Sequence, residues 1–154
     1  MQQPNNKKTL VEELIAIGYT AEEALRVVKG EAKEDKKFSL EEEIRNMLLE
    51  LGIPASLQGF YYASAALEIL FYSKNPADVP VTKELYPEVA KYFNTTANRV
   101  ERCIRHAVEV AFERGDVEVL KHYFKNSCSM ERGKATNAEF LYTLAYYLQL
   151  EENK

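Results

Sequence analysis

The stretch "TKELYPEVAKYFNTTANRVERCIRHAVEVAFERG", residues 82–115, decides how this chain folds. Two helical patterns flank a few polar residues, Asn94, Thr95 and Thr96, and together they have the dimensions of a helix-turn-helix. The first helix is expected over about 82–93, with Pro87 early in its run, Val89 and Phe93 as its buried side, and small Ala90 where two helices approach. Asn94 suits the turn because its short polar side chain tolerates a left-handed backbone. The second helix is expected over 97–114 and stops at Gly115. Val100, Ile104, Ala107, Val108 and Ala111 form its inner stripe at helical spacing, with Cys103 also turned inward. Asn98, Glu101, Arg102, Arg105 and His106 then face outward near its N-terminal half, the part a recognition helix lays in the major groove.

The chemistry of those residues fits that placement. Arginine offers a planar fork matching the two acceptors on guanine's major-groove edge, glutamate accepts from the amino group of cytosine, and histidine donates to a base or phosphate. Thr95, Thr96, Asn98 and Arg99 surround the helix start, whose unpaired amides and positive dipole favour a phosphate. A plainer reading exists beside this one: Glu101 and Arg105, four residues apart, form only a surface ion pair on a solvated face.

A net charge of −4 argues mildly against nucleic acid, so the distribution of charge matters more than its sum. Residues 83–137 hold ten basic and eight acidic side chains, whereas 39–82 hold two and six. Within 91–106, Lys91, Arg99, Arg102 and Arg105 meet only Glu101, which makes a basic patch on an acidic body. A hydrophobic content of 46% with 29% charged residues is the profile of an ordinary globular chain and excludes disorder and collagen. No apolar run reaches bilayer length and the start lacks the order of a secretory signal, so a cytoplasmic protein with no membrane association is expected. Cys103 and Cys128 stand in no metal or disulfide spacing and are expected to be reduced.

Along the chain, no period-two alternation persists, so the fold class is all-α. Thr9 with Glu12 and Thr20 with Glu23 are capping boxes, and Gly18 and Gly30 close helices, so residues 1–38 read as a helical hairpin followed by a charged linker. The main domain, 39–154, opens at Ser39, which forms a further capping box with Glu42, and Leu40, Ile44, Met47, Leu48 and Leu51 share one face up to Gly52. A strongly apolar helix over about 57–73, with Phe60, Tyr61, Ala65, Leu67, Ile69, Leu70 and Phe71, is expected at the centre of the core. Asp116 caps a fifth helix, and Thr136 with Glu139 opens the last, which carries Phe140, Leu141, Leu144, Tyr147 and Leu148. The expected architecture is a bundle of about six helices containing the helix-turn-helix.

"LGIPASLQGFYY", "TKELYPEVAKYFNTTANRVERCIRHAVEVAFERG" and "KATNAEF", in this order and spacing, resemble the C-terminal DNA-binding effector domain of the sporulation master response regulator, stage zero sporulation protein A. The resemblance spans roughly residues 40–150. It implies a six-helix domain that binds double-stranded DNA at boxes of the type TGTCGAA, often as a head-to-tail pair on tandem boxes, and regulates transcription. It also implies that Glu101, Arg102, Arg105 and His106 face the bases. Lys134, in the loop before the last helix, and Asn137 are phosphate candidates, although Ala135 stands where the family usually has Pro. In "DVEVLKHYF", the helix that contacts the RNA polymerase sigma subunit in that family, Val119, Lys121 and Phe124 are the contact candidates; Val119 and Lys121 replace the small polar residues usual there.

The family's receiver domain has no counterpart here, because only 38 residues precede Ser39 and none of Asp35, Asp78 and Asp116 is a plausible phosphoacceptor. A stand-alone effector, a paralogue with another input and a piece beginning near an interdomain linker all fit this. "LIAIGYTAEEALRVV" faintly resembles the first two helices of a ubiquitin-associated-type fold, but lacks the third and reads better as a helical arm. No cofactor, metal site or catalytic constellation is expected: His106 and His122 stand apart from metal-spaced partners, and no phosphate-binding glycine motif is present. The functional expectation is a sequence-specific transcriptional regulator. A helical interaction module acting as a dimerising antagonist or adaptor of related regulators is the alternative.

Overall fold

The computed structural model describes residues 12, 16, 18, 20, 36–124 and 133–153. Most of the expected hairpin, most of the linker and Cys128 lie outside the described residues. The chain divides into two compact units, Met1–Leu40 and Glu41–Lys154. In the first, Gly18 has a φ of 113°, the backbone glycine adopts most readily.

Among the described residues there are six α-helices and no strand: α1 (Lys36–Glu50), α2 (Gln58–Phe71), α3 (Tyr86–Phe93), α4 (Ala97–Arg114), α5 (Val117–Phe124) and α6 (Asn137–Glu152). The all-α bundle expected from the sequence is what forms. Helix α1 starts at Lys36 rather than Ser39, so the start expected at Ser39 lies inside the helix. Its other end follows the expected pattern. Gly52 has a φ of 94°, its N–H donates to Leu49 O, and the Ile53 N–H donates to Leu48 O. Ile53 and Leu48 are both buried, which completes the hydrophobic contact of a Schellman turn.

Helix α2 packs against α3, α4 and α6 and so lies at the centre, but it is not buried on every side, since Tyr61 is 46% exposed. Gly59 sets how closely α4 approaches. A Cβ there would sit 2.1 Å from the Cys103 carbonyl oxygen, so any side chain would push α4 away from α2. Gly115 works in the same way at the far end of α4. Its φ of −73° is not left-handed, and a Cβ would meet the carbonyl oxygens of Ala111 and Leu51 at 2.4 and 2.5 Å. Helix α4 is therefore seated by glycines near both ends.

The third helix is less regular than its expected span. Residues Val81–Leu85 form a π-turn before α3, with the Tyr86 N–H donating to Val81 O. Pro87 supplies the reason: it has no N–H to give Lys83 and its ring crowds that carbonyl, so the preceding turn widens. Helix α6 closes the bundle. Tyr142 donates to Val79 O at 2.7 Å, and Gln149 donates to Phe71 O and Ser73 O at 3.0 Å each, which ties the connection between α2 and α3 to α6.

Candidate nucleic-acid interface

The turn between α3 and α4 follows directly from its residues. Asn94 has φ 55° and ψ 52°, and it is the only non-glycine residue with positive φ among those described. Its N–H reaches Lys91 O at 3.3 Å, and the Thr95 N–H donates to Ala90 O at 2.9 Å, a second Schellman-type closure. Thr96 then caps α4, its Oγ1 accepting from the Arg99 N–H at 3.1 Å. One amide of the helix start is thereby satisfied within the protein, and the threonine hydroxyl keeps its own hydrogen to donate.

Helix α4 separates its two faces cleanly. Val100, Ile104, Ala107, Val108 and Ala111 are all buried, joined by Val110, while Asn98, Arg99, Arg102, Arg105 and His106 are exposed and Glu101 is half-exposed. Cys103 is half-buried rather than fully inward. The basic residues of the outer side differ in their partners. Arg105 Nη1 donates to Glu101 Oε2 at 2.7 Å, so the i, i+4 ion pair does form. The Tyr62 hydroxyl of α2 holds the Arg99 guanidinium more firmly protonated than usual. Arg102 has no hydrogen-bond or ion-pair partner among the described residues.

An ion pair and base recognition are compatible in energy. An exposed i, i+4 pair contributes about 0.3–0.5 kcal/mol, while a bidentate arginine–guanine contact discriminates by about 1–3 kcal/mol. The pair is therefore too weak to hold Arg105 back from another partner.

A groove of about 470 Å³ borders α4, and the residues lining it include Thr82, Tyr86, Glu101, Arg105, Lys134 and Asn137. Lys134 Nζ donates to Glu109 Oε2 at 2.7 Å, and that lysine holds the Glu109 carboxyl below its usual range. Thr136 and Glu139 form a reciprocal capping box at the start of α6. Asn137 departs from expectation. Its Nδ2 donates to Tyr86 Oη at 2.9 Å and to Glu101 O at 3.2 Å, so the amide expected on a phosphate is directed into the protein.

Helix α5 requires a correction as well. Phe124, expected to meet the polymerase, is fully buried against Phe112 and Phe140, its ring 5.5 Å from that of Phe140 and nearly parallel. The stripe of Leu120 and Phe124 faces the core, which leaves Lys121 exposed and Val119 half-exposed. Sequence reading missed the seating by Gly59, because a glycine inside an apolar helix does not reveal which backbone crosses it.

Residues 44–148 match the model of the family described as "Sporulation initiation factor Spo0A C terminal". The chain belongs to this family. Members are DNA-binding domains of sporulation-type transcription regulation and not an enzyme family, which agrees with a helix-turn-helix whose second helix presents a basic outer side. The match runs from Ile44 in α1 to Leu148 in α6 and so includes every element that positions α4. Among the described residues, no helix is long and apolar enough to cross a membrane, and no cluster of three His, Cys, Asp or Glu could hold a metal.

Proposed function

We propose that this Spo0A-type domain reads TGTCGAA-like boxes with α4 in the major groove, Glu101, Arg102, Arg105 and His106 meeting base edges. The observation that carries this is the outer side of α4, where Arg102 stands exposed and without a partner among the described residues, beside a buried stripe that fixes the helix. Thr95, Thr96, Asn98, Arg99 and Lys134 contact phosphates and set register. Two copies bind head to tail on tandem boxes, with Lys121 and Val119 of α5 offered to the RNA polymerase sigma subunit. The effector domain of 39–154 is read as the working part and residues 1–38 as an accessory hairpin and linker, and the protein works in the cytoplasm.

The test contrasts two substitutions on a box duplex and a scrambled duplex. Arg102→Ala should weaken box binding by about 1–3 kcal/mol and leave scrambled binding nearly unchanged. Lys134→Ala should weaken both alike and reduce the salt slope by about one. Equal losses on both duplexes for Arg102→Ala would remove it from base reading. If the wild type fails to prefer the boxes, the fold serves another purpose, and the interaction-module alternative becomes the one to pursue.

A further inference from the structure

Building on the DNA-reading function above, we propose that Asn137 is a positioning residue for base recognition, fixing α4 against the start of α6 without itself touching DNA. Its carboxamide carries two hydrogens. One goes to Tyr86 Oη at 2.9 Å, at the start of the helix-turn-helix, and the other to the Glu101 carbonyl at 3.2 Å, on the recognition helix. A single side chain of α6 thus joins that helix to both helices of the helix-turn-helix.

Each end of this bracket is itself fixed. Asn137 is the first residue of α6, and the Thr136–Glu139 capping box holds that helix start. Tyr86 is 5% exposed, and its buried hydroxyl would lose a hydrogen-bond donor if the amide were removed. Glu101 is the residue whose carboxylate holds Arg105 at 2.7 Å, so the bracket reaches the turn of α4 from which two of the base-reading side chains project. Recognition groups need support to within roughly half an ångström, which a neutral, half-buried hydrogen-bonded bracket supplies.

A second tie joins the same loop to α4. Lys134 meets Glu109, about 12 Å further along the helix at 1.5 Å per residue. That pair is exposed and charged, so salt or a competing phosphate releases it. The Asn137 bracket carries no net charge and is insensitive to salt. Lys134 can therefore pass to a DNA phosphate while Asn137 keeps α4 in place.

The experiment measures anisotropy of the full chain on box and scrambled duplexes across a salt series, for the wild type, Asn137→Ala, Tyr86→Phe and the double variant. Each single change should lower box affinity about five- to tenfold, leaving scrambled binding and the salt slope as in the wild type. The double variant should lose no more than Asn137→Ala alone, because that change already removes the hydrogen bond that Tyr86→Phe removes. A loss on both duplexes with a salt slope smaller by about one would show Asn137 to be a phosphate contact and overturn the proposal. Additive losses, or box affinity unchanged in a folded Asn137→Ala, would overturn it too. Thermal melting identifies a variant that fails to fold, and Tyr86→Phe, which keeps the ring in place, then decides alone. Absence of box preference in the wild type would instead refute the DNA reading, and this inference with it.

Discussion

Helices α4 and α6 both begin with a capping threonine, Thr96 and Thr136, each accepting a hydrogen bond from the amide three residues on. Beyond that shared device they diverge. The first turn of α4 presents Asn98 and Arg99 to solvent, whereas the first turn of α6 directs Asn137 to Tyr86 and the Glu101 backbone. The same local rule starts one helix that faces outward and another that holds it in position. Which role a helix start takes depends on the groups that neighbouring elements bring to it.

This comparison can be broken at its foundation by moving α4 bodily. Gly59→Ala places a Cβ against the Cys103 carbonyl and should destabilise the domain by about 1–3 kcal/mol, read from urea unfolding, with box binding falling alongside. Unchanged stability would mean that α2 and α4 are not as tightly seated as the geometry says. A sharper separation comes from the caps. Thr96→Ala and Thr136→Ala should each cost about 1 kcal/mol of stability. Only Thr136→Ala should spare the helix start proposed to face DNA and still relax box preference, through Asn137; equal preference in that variant and the wild type would separate the cap from the bracket.

The smallest expected effect is alkaline. Burial raises the phenols of Tyr86, Tyr142 and Tyr123, with Glu50, which accepts the Tyr123 hydrogen, adding to that last shift. The fold holds these groups neutral above the point, about 10, at which unfolded phenols ionise. Their contribution is intact below that pH and is lost as pH rises through the folded values. Urea midpoints should therefore fall on the alkaline side, and less steeply in Tyr123→Phe; identical slopes would remove Tyr123 from the account.

Local signals were readable in advance. The span of α4, the left-handed Asn94, the cap at Thr136 and the buried stripe of α4 all follow from residues within a few positions of one another. What the sequence did not reveal depends on distant partners. Asn137 finds its acceptors 51 and 36 residues away, and Gly59 is needed because of a carbonyl on another helix. Phe124 differs for a related reason: its position in the resembling family suggests a contact, while the rings of Phe112 and Phe140 place it in the core. The π-turn before Pro87 lies between these cases, since the proline was visible but the way the chain would absorb it was not.

The central claim is that the outer side of α4 selects a base sequence rather than merely attracting a polyanion. Its most direct test is anisotropy of the wild-type chain on a duplex with two tandem TGTCGAA-type boxes and on a scrambled duplex, with salt raised to near-physiological strength. A preference for the boxes that persists as salt rises is the predicted result. Binding to both duplexes that is equal and vanishes together with salt would contradict it.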